Sequence, residues 1–163
     1  MMIKKLFLLT CILFSIGASA AYPDKPITMV VPVPPGGILD AVARMIAPEM
    51  SKTLGQPIVI ENKTGAGGQI AVQTVKAAAP DGNTVLQTPM SMLGIYPHIY
   101  RKLNYDAERD LAPIGLTATS CHLLIIHPSL PVRSIKELIA LAKARPGQLN
   151  FSSGGTGNSD HLP

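Results

Sequence analysis

The chain alternates between short apolar runs and longer amphipathic segments, a pattern typical of an α/β protein. Continuous apolar runs of this length indicate buried parallel strands, because helices cover both faces of such a sheet. The predicted strands span residues 27–33, 57–61, 84–87, 114–119, 122–126 and 149–152. The predicted helices span residues 40–54, 70–79, 90–99 and 135–144.

Two of the predicted helices carry clear local signals. In segment 40–54 the apolar residues recur at helical spacing, and Gly55 stands where helices commonly end. The residues predicted to share its buried face are Val42, Met45, Ile46, Met50 and Leu54. Ser134 precedes segment 135–144, and Glu137 completes a capping box. The segment 103–110 is predicted as a polar connection.

Two glycine-rich turns follow predicted strands. Pro34-Pro35-Gly36-Gly37 leads into the first helix, and a turn over residues 153–159 leads into a segment with helical character. Ligands of open α/β sheets bind beyond the carboxyl ends of the strands. Glycine lets backbone N–H groups approach a ligand, and a helix N-terminus favours an anion. Neither turn carries a side chain that dictates a reaction, which favours an anion receptor over an enzyme.

The first twenty residues have the features of a secretion signal. Lys4 and Lys5 precede an apolar run, and Ala18-Ser19-Ala20 is a small-residue cleavage pattern. We therefore expect residues 1–20 to be removed on export and the mature protein to reside in the periplasm.

The charge and cysteine content narrow the range of partners. Without the leader, twelve basic and ten acidic residues remain, a net charge of +2. This balance gives no reason to expect a nucleic-acid partner. Cys11 lies in the leader, which leaves Cys121 without an intramolecular disulfide partner.

Spacing also argues against common cofactor sites. His122 and His127 would face opposite sides of a strand, so they do not form a metal pair. The turn 65–68 lacks the third glycine of a dinucleotide loop, because Ile70 occupies that position. We interpret its glycines as required by the backbone conformation of the turn rather than by a ligand. For the protein as a whole, we expect neither a bound metal nor a cofactor.

Several short motifs follow one another along the mature chain. They are Tyr22-Pro23-Asp24-Lys25-Pro26-Ile27, Val31-Pro32-Val33-Pro34-Pro35-Gly36-Gly37 with Asp40, Leu54-Gly55-Gln56-Pro57, Glu61-Asn62 with Gly65-Ala66-Gly67-Gly68, Pro80-Asp81-Gly82, Tyr100-Arg101-Lys102-Leu103-Asn104-Tyr105-Asp106, His127-Pro128-Ser129-Leu130-Pro131, Lys143-Ala144-Arg145-Pro146-Gly147 and Gly155-Thr156-Gly157-Asn158-Ser159. In this order and at this spacing they resemble the extracytoplasmic solute receptors of tripartite tricarboxylate transporters, also called Bug receptors.

The resemblance implies a fold like that of type II periplasmic binding proteins, in which two α/β lobes close on a ligand. On this basis residues 1–20 are the signal peptide, 21–120 the first lobe and 121–163 the start of the second lobe. Family members are longer than this chain. The first lobe is therefore interpreted as largely present, and the second as incomplete through truncation.

The resemblance also implies how a carboxylate is held, mainly by main-chain N–H groups, hydroxyls and water. The implied ligand-binding residues are Pro35, Gly36, Gly37 and Ile38 in the first-lobe loop, Thr88, Pro89 and Met90 after the third strand, and Ser153, Gly155, Gly157, Asn158 and Ser159 in the second-lobe turn. Asp40 is expected to cap the helix that follows the loop. His161 is assigned no ligand contact. Val33 and Leu39 depart from the family, which often has Phe at the first position and Ser or Thr at the second.

The implied function is capture of a small carboxylate, such as a di- or tricarboxylate, by a monomeric receptor that passes it to a membrane permease. One alternative is an α/β enzyme that acts on an anionic ester, with Ser91 and His98 as the nearest candidates for catalysis. A further alternative is a receptor fragment without function.

Overall fold

A parallel three-stranded sheet organises the part of the chain that the structure describes, residues 22–153 and 158–161 of a computed structural model. The strands are β1 (Ile27–Val31), β2 (Ile58–Asn62) and β3 (Thr84–Leu86), in the order β2-β1-β3. Ile27 pairs with Ile58 and Thr28 with Thr84, so β1 lies between two parallel neighbours. The predicted signal peptide lies outside the described residues.

Helices fill the connections between the strands and continue beyond them. They are α1 (Ile38–Leu54), α2 (Gln69–Lys76), α3 (Met90–Gly94), α4 (Tyr96–Ile99), α5 (Ala107–Asp110) and α6 (Ile135–Ala144). A 3₁₀ turn, Ala66–Gly68, precedes α2. The described helices include none that is long and apolar enough to cross a membrane.

The packing of α1 on the sheet differs from the predicted face at one residue. Ala43 and Ala47 are buried, and Ile46 and Met50 pack beside the core residues Met29 and Val31. Met45, which was predicted to share the buried face, is 76% exposed, so this part of the prediction is wrong. The reason is geometric: at about 3.6 residues per turn, Met45 lies on the side of the helix opposite to Ala43 and Ala47, which face the sheet.

Local signals set several helix boundaries. Gly55 has a left-handed backbone with φ of 71° and ends α1, as predicted. The predicted α6 is confirmed over residues 135–144, and the Ser134 hydroxyl accepts the Glu137 N–H at 3.2 Å. The predicted helix 90–99 is instead divided into α3 and α4 near Pro97, which has no N–H to continue the hydrogen bonding. The predicted polar connection 103–110 contains the single helical turn α5, capped by Asp106.

Three predicted strands, 114–119, 122–126 and 149–152, are not strands in the structure. Most of their apolar side chains are exposed, with Ile114 at 86% and Ile125 at 85%, while Ile126 and Leu149 are half-buried. An apolar run becomes a strand only when a neighbour pairs with its N–H and C=O groups, and no segment of the described chain does so here. Periodicity identified the apolar runs, but pairing decides whether they are strands.

A second apolar cluster packs against Leu86 of β3. Val72, Met92, Tyr96 and Tyr105 are each at least 95% buried and form one apolar cluster. The Tyr105 hydroxyl donates to the backbone carbonyl of Met92, and burial raises the pKa of this phenol to about 12. This cluster joins α2, α3 and α4 into one layer beside β3.

Candidate anion-binding site

The loops that follow β1 and β3 emerge at the same edge of the sheet. The two strands are adjacent and parallel, so their carboxyl ends lie side by side. The predicted ligand residues 35–38 follow β1, and residues 88–90 follow β3. The structure therefore brings two of the three predicted groups to one edge, which is where open α/β sheets bind ligands.

The loop after β1 is a tight turn whose glycine N–H groups are already used. Gly37 N donates to the Pro34 carbonyl at 3.1 Å, and Gly36 N donates to the Asp40 carboxylate at 2.8 Å. Gly36 has a φ of 85°, a conformation that favours glycine. In this structure both glycine N–H groups therefore form hydrogen bonds within the chain, one inside the loop and one to the helix that follows.

The first residues of α1 supply backbone donors at this place. The first α-helical hydrogen bond runs from Ala41 N to the Gly37 carbonyl at 2.9 Å. The N–H groups of Ile38 and Leu39 come before that bond and have no acceptor inside the helix. Among the predicted loop residues, Ile38 is therefore the one whose N–H is best placed to bind an anion. Its side chain is 70% exposed.

Asp40 does not occupy the cap position that the sequence predicted for it. Gly37 is the N-cap residue, and Asp40 lies in the first turn of α1. Its carboxylate nevertheless accepts the N–H of Gly36, the residue before the cap. The physical reason is that a side chain three residues into a helix can reach back to the N–H groups that the helix leaves unpaired.

Three donors surround the Asp40 carboxylate. Besides Gly36 N, Arg44 Nε donates at 2.9 Å and Asn62 Nδ2 donates at 2.9 Å. The Arg44 guanidinium contributes most, followed by the two other donors, and together they hold the pKa of Asp40 well below its usual range. Asp40 is 2% exposed, so its negative charge is retained inside the fold and is balanced by Arg44.

The residues after β3 present a mixed surface. The Thr88 hydroxyl lies 3.2 Å from the sulfur of Met92, and the Pro89 carbonyl accepts from Met92 N at 3.1 Å. Thr88 and Pro89 are half-buried, while Met90 is 73% exposed. Thr88 and Met90 are thus able to line a cleft, one with a hydroxyl and the other with an apolar chain.

The third predicted group lies partly outside the described residues. Gly155 and Gly157 are in the undescribed segment 154–157. Asn158 reaches the sheet edge, since its Oδ1 accepts from the Ser91 hydroxyl at 3.4 Å. Ser159 and Ser153 instead contact histidines: Ser159 Oγ lies 3.0 Å from His122 Nε2, and Ser153 Oγ lies 2.7 Å from His161 Nδ1.

Two residues of the network around the loop, Arg44 and Asn62, were not predicted from the sequence. Asn62 ends β2, and its side chain contacts both Asp40 and the Val33 carbonyl. A polar residue at the carboxyl end of a buried strand is the signal that could have identified it. Arg44 stands four residues after Asp40, the spacing of a helical ion pair.

Two other possible sites carry no comparable arrangement. A shallow cavity of about 350 Å³ between α1 and β2 is lined by Arg44, Ala47, Pro48, Ser51, Ile58 and Ile60, and includes none of the predicted site residues. Within residues 22–153 and 158–161, no three His, Cys, Asp or Glu side chains are grouped so that they could hold a metal ion.

Known proteins are similar to this chain over most of its length. Among curated proteins, a UPF0065 protein of Bordetella pertussis is 42% identical over 143 residues, which are 86% of this chain and 43% of that protein. The chain spans less than half the length of the curated relatives it matches.

Solved structures share the fold over the same partial length. A protein of R. palustris solved with adipate has a TM-score of 0.71 and 31% identity, over 83% of this chain and 46% of that one. The periplasmic binding protein BugD has a TM-score of 0.69 and 33% identity, over 86% of this chain and 46% of that one. MatC from Rhodopseudomonas palustris, solved with bound malate, is 46% identical with a TM-score of 0.53, over 55% of this chain and 30% of that one.

These likenesses confirm the predicted α/β fold and its relation to periplasmic binding proteins. A family model described as "Tripartite tricarboxylate transporter family receptor" matches residues 42–163, about three quarters of the chain. On that match, the protein belongs to the receptor family of tripartite tricarboxylate transporters, the family that its motifs resemble.

Proposed function

We propose that this chain belongs to a periplasmic receptor that captures a small carboxylate and delivers it to a membrane permease of the tripartite tricarboxylate type. The observation that carries the proposal is the start of α1 at the carboxyl edge of the sheet. There the N–H groups of Ile38 and Leu39 lie at a helix N-terminus, where a negative charge is stabilised.

Two relatives support a dicarboxylate as the ligand class. The R. palustris relative was solved with adipate, and MatC was solved with bound malate. Both ligands carry two carboxylates on a short chain, and one carboxylate would fit the start of α1. Thr88 and Met90, which follow β3, would contact the remainder of the ligand. By analogy with the family, the proposed receptor binds its ligand without a cofactor, acts as a monomer and is exported by the signal at residues 1–20.

The geometry does not favour the alternative of an ester-cleaving enzyme. A serine nucleophile needs a base within hydrogen-bonding reach. The Ser91 hydroxyl donates to Asn158, and His98 is exposed on the short helix α4. The described residues therefore contain no hydrogen bond between Ser91 and His98 that would activate the hydroxyl.

Thermal unfolding with a panel of carboxylates tests the proposal. Adipate, malate and citrate should be compared with diols of matched length, which lack the charge. A ligand that binds only the native state raises its stability, by about 2.7 kcal/mol at a hundred times its Kd. A rise in Tm with one dicarboxylate and none with its diol supports the proposal. An unchanged Tm with every acid, together with no heat of binding by calorimetry, contradicts it.

A further inference from the structure

We infer that Asn62 is the positioning residue of the loop that precedes α1, since its side chain fastens one end of that loop to the end of β2 directly and the other end through Asp40. The inference rests on the proposed function in one respect, namely that the loop and the start of α1 receive the ligand. The fastening itself is a property of the ligand-free chain.

The Asn62 side chain contacts the first end of the loop directly and the residue that holds its second end, Asp40. Asn62 Nδ2 donates to the Val33 carbonyl at 2.9 Å and to Asp40 Oδ1 at 2.9 Å. Its Oδ1 accepts from Arg44 Nη2 at 3.3 Å. The orientation of the amide is settled by these partners, because the reverse orientation would place its oxygen against a carbonyl and a carboxylate.

The strand pairing explains why position 62 has this reach. Asn62 is the last residue of β2 and is paired with Val31, the last residue of β1. Lys63 N then donates to the Val31 carbonyl at 2.9 Å. The loop leaves β1 directly beside Asn62, so the side chain meets the first residues of the loop without crossing the sheet.

The second end of the loop is held through Asp40. The carboxylate accepts from Asn62 on Oδ1 and from Gly36 N on Oδ2, the latter at 2.8 Å. Val33 and Gly36 are thus joined through one amide and one carboxylate. This bridge spans the two prolines between them and fixes the direction in which α1 begins.

The same contacts address an electrostatic problem. A carboxylate in the first turn of α1 would repel an anionic ligand at the helix N-terminus. Arg44 lies 2.9 Å from Asp40 and balances its charge, while Asn62 satisfies the remaining oxygen without adding charge. Only a side chain with two N–H donors and one acceptor supplies all three contacts at position 62.

Amide hydrogen exchange of Gly36 in the full chain, measured by nitrogen–proton correlation spectra without ligand, tests the inference. In Asn62→Ala and Asn62→Asp we expect the Gly36 amide to exchange about tenfold faster or more, the factor that corresponds to one or two lost hydrogen bonds. The Gly36 amide resonance should also move upfield as its bond to Asp40 weakens.

Ser51→Ala is the matched control. The Ser51 hydroxyl accepts Ile58 N at 2.9 Å and joins the same helix and strand at the end distant from the loop. This variant should lose overall stability but leave the Gly36 resonance unchanged. If Asn62→Ala changes Gly36 exchange no more than Ser51→Ala at equal Tm, Asn62 is merely structural and the inference is overturned.

Ligand titration of the same variants separates this inference from the proposed function. If the unaltered chain binds no dicarboxylate, the proposed function fails, whereas the Gly36 measurement still decides whether Asn62 fastens the loop. If the chain binds, we expect affinity to fall in Asn62→Asp and to persist in Ser51→Ala.

Discussion

The side-chain hydroxyl of Ser91 lies 3.4 Å from Oδ1 of Asn158, a residue 67 positions further along the chain. Ser91 is 5% exposed and lies in the first turn of α3, shortly after β3. This contact attaches Asn158 to the same sheet edge that carries the loop before α1. Asn158, one member of the third predicted ligand group, therefore lies beside a serine that directly follows the second group, Thr88, Pro89 and Met90.

A double-mutant cycle measures the Ser91–Asn158 contact. At 3.4 Å the hydrogen bond is long, so Ser91→Ala and Asn158→Ala should each lower the free energy of unfolding by about 0.5–1 kcal/mol. The double variant should be no less stable than either single variant, because both remove the same bond. Urea unfolding gives the values, and fully additive effects would contradict the contact.

The ionised Asp40 is predicted to make stability depend on pH in the acid range. Its pKa is held below the ordinary value of 3.8, chiefly by Arg44 and then by Gly36 N and Asn62. A carboxyl whose native pKa is depressed stabilises the fold at pH values above its unfolded pKa. This contribution is lost progressively as the pH falls from the unfolded pKa through the native pKa. Asp81, whose pKa is lowered to about 2 mainly by Lys25, acts in the same direction.

Urea unfolding from neutral pH into the acid range checks this prediction. Asp40→Asn should be less stable than the unaltered protein at neutral pH, and its stability should fall less steeply below the pKa of a free aspartate. Ser51→Ala weakens the contact between α1 and β2 without removing a charge and should retain the full acid dependence. The same steepness in Asp40→Asn as in the unaltered protein would show that this carboxylate is not responsible.

The glycine turn before α2 is predicted to serve packing. Gly68 has a φ of 89°, and an added Cβ would lie 2.9 Å from Met92 and from Pro32. Gly55 has a similar φ of 71° but open space around it. Gly55→Ala should therefore cost about 1 kcal/mol through backbone strain alone. Gly68→Ala should cost about 1–3 kcal/mol more, since it also overpacks the apolar cluster that contains Met92.

Denaturant unfolding of the two alanine variants isolates this packing effect, because both positions have a left-handed backbone. Equal losses at Gly55 and Gly68 would mean that the turn has room for a side chain. Such a result would reopen the possibility that the turn binds a ligand.

Substitutions in the loop before α1 are predicted to affect binding more than folding. Gly36→Pro removes the N–H that Asp40 accepts and cannot adopt a positive φ. Gly37→Val would bring Cβ to 3.0 Å from a methyl group of Val33. Both variants should weaken carboxylate binding by tenfold or more, the factor that about 1.4 kcal/mol represents, while helix content stays nearly unchanged.

Calorimetry with the ligand identified in the thermal panel gives the affinities, and circular dichroism gives the helix content. Gly55→Ala serves as a control, because it alters a glycine of positive φ at the far end of α1. Unchanged affinity in both loop variants would remove this loop from the ligand site.

Local signals determined much of this protein in advance. Apolar runs located β1, β2 and β3 to within two residues at their ends, and the glycine and capping residues set the ends of α1 and α6. These features depend on residues close together in the chain, so the sequence displays them directly. The motif order likewise indicated the receptor family, which the match over residues 42–163 bears out.

Tertiary structure decided what depends on residues far apart in the chain. The segments 114–119 and 122–126 are apolar enough for strands, yet no neighbour in the described chain pairs with them. Asp40 carries the signature of a cap, yet its position beside Asn62 makes it the centre of a network that holds the loop. Composition and spacing cannot reveal such relationships, because hydrogen-bond partners 22 or 67 residues apart meet only once the strands have paired.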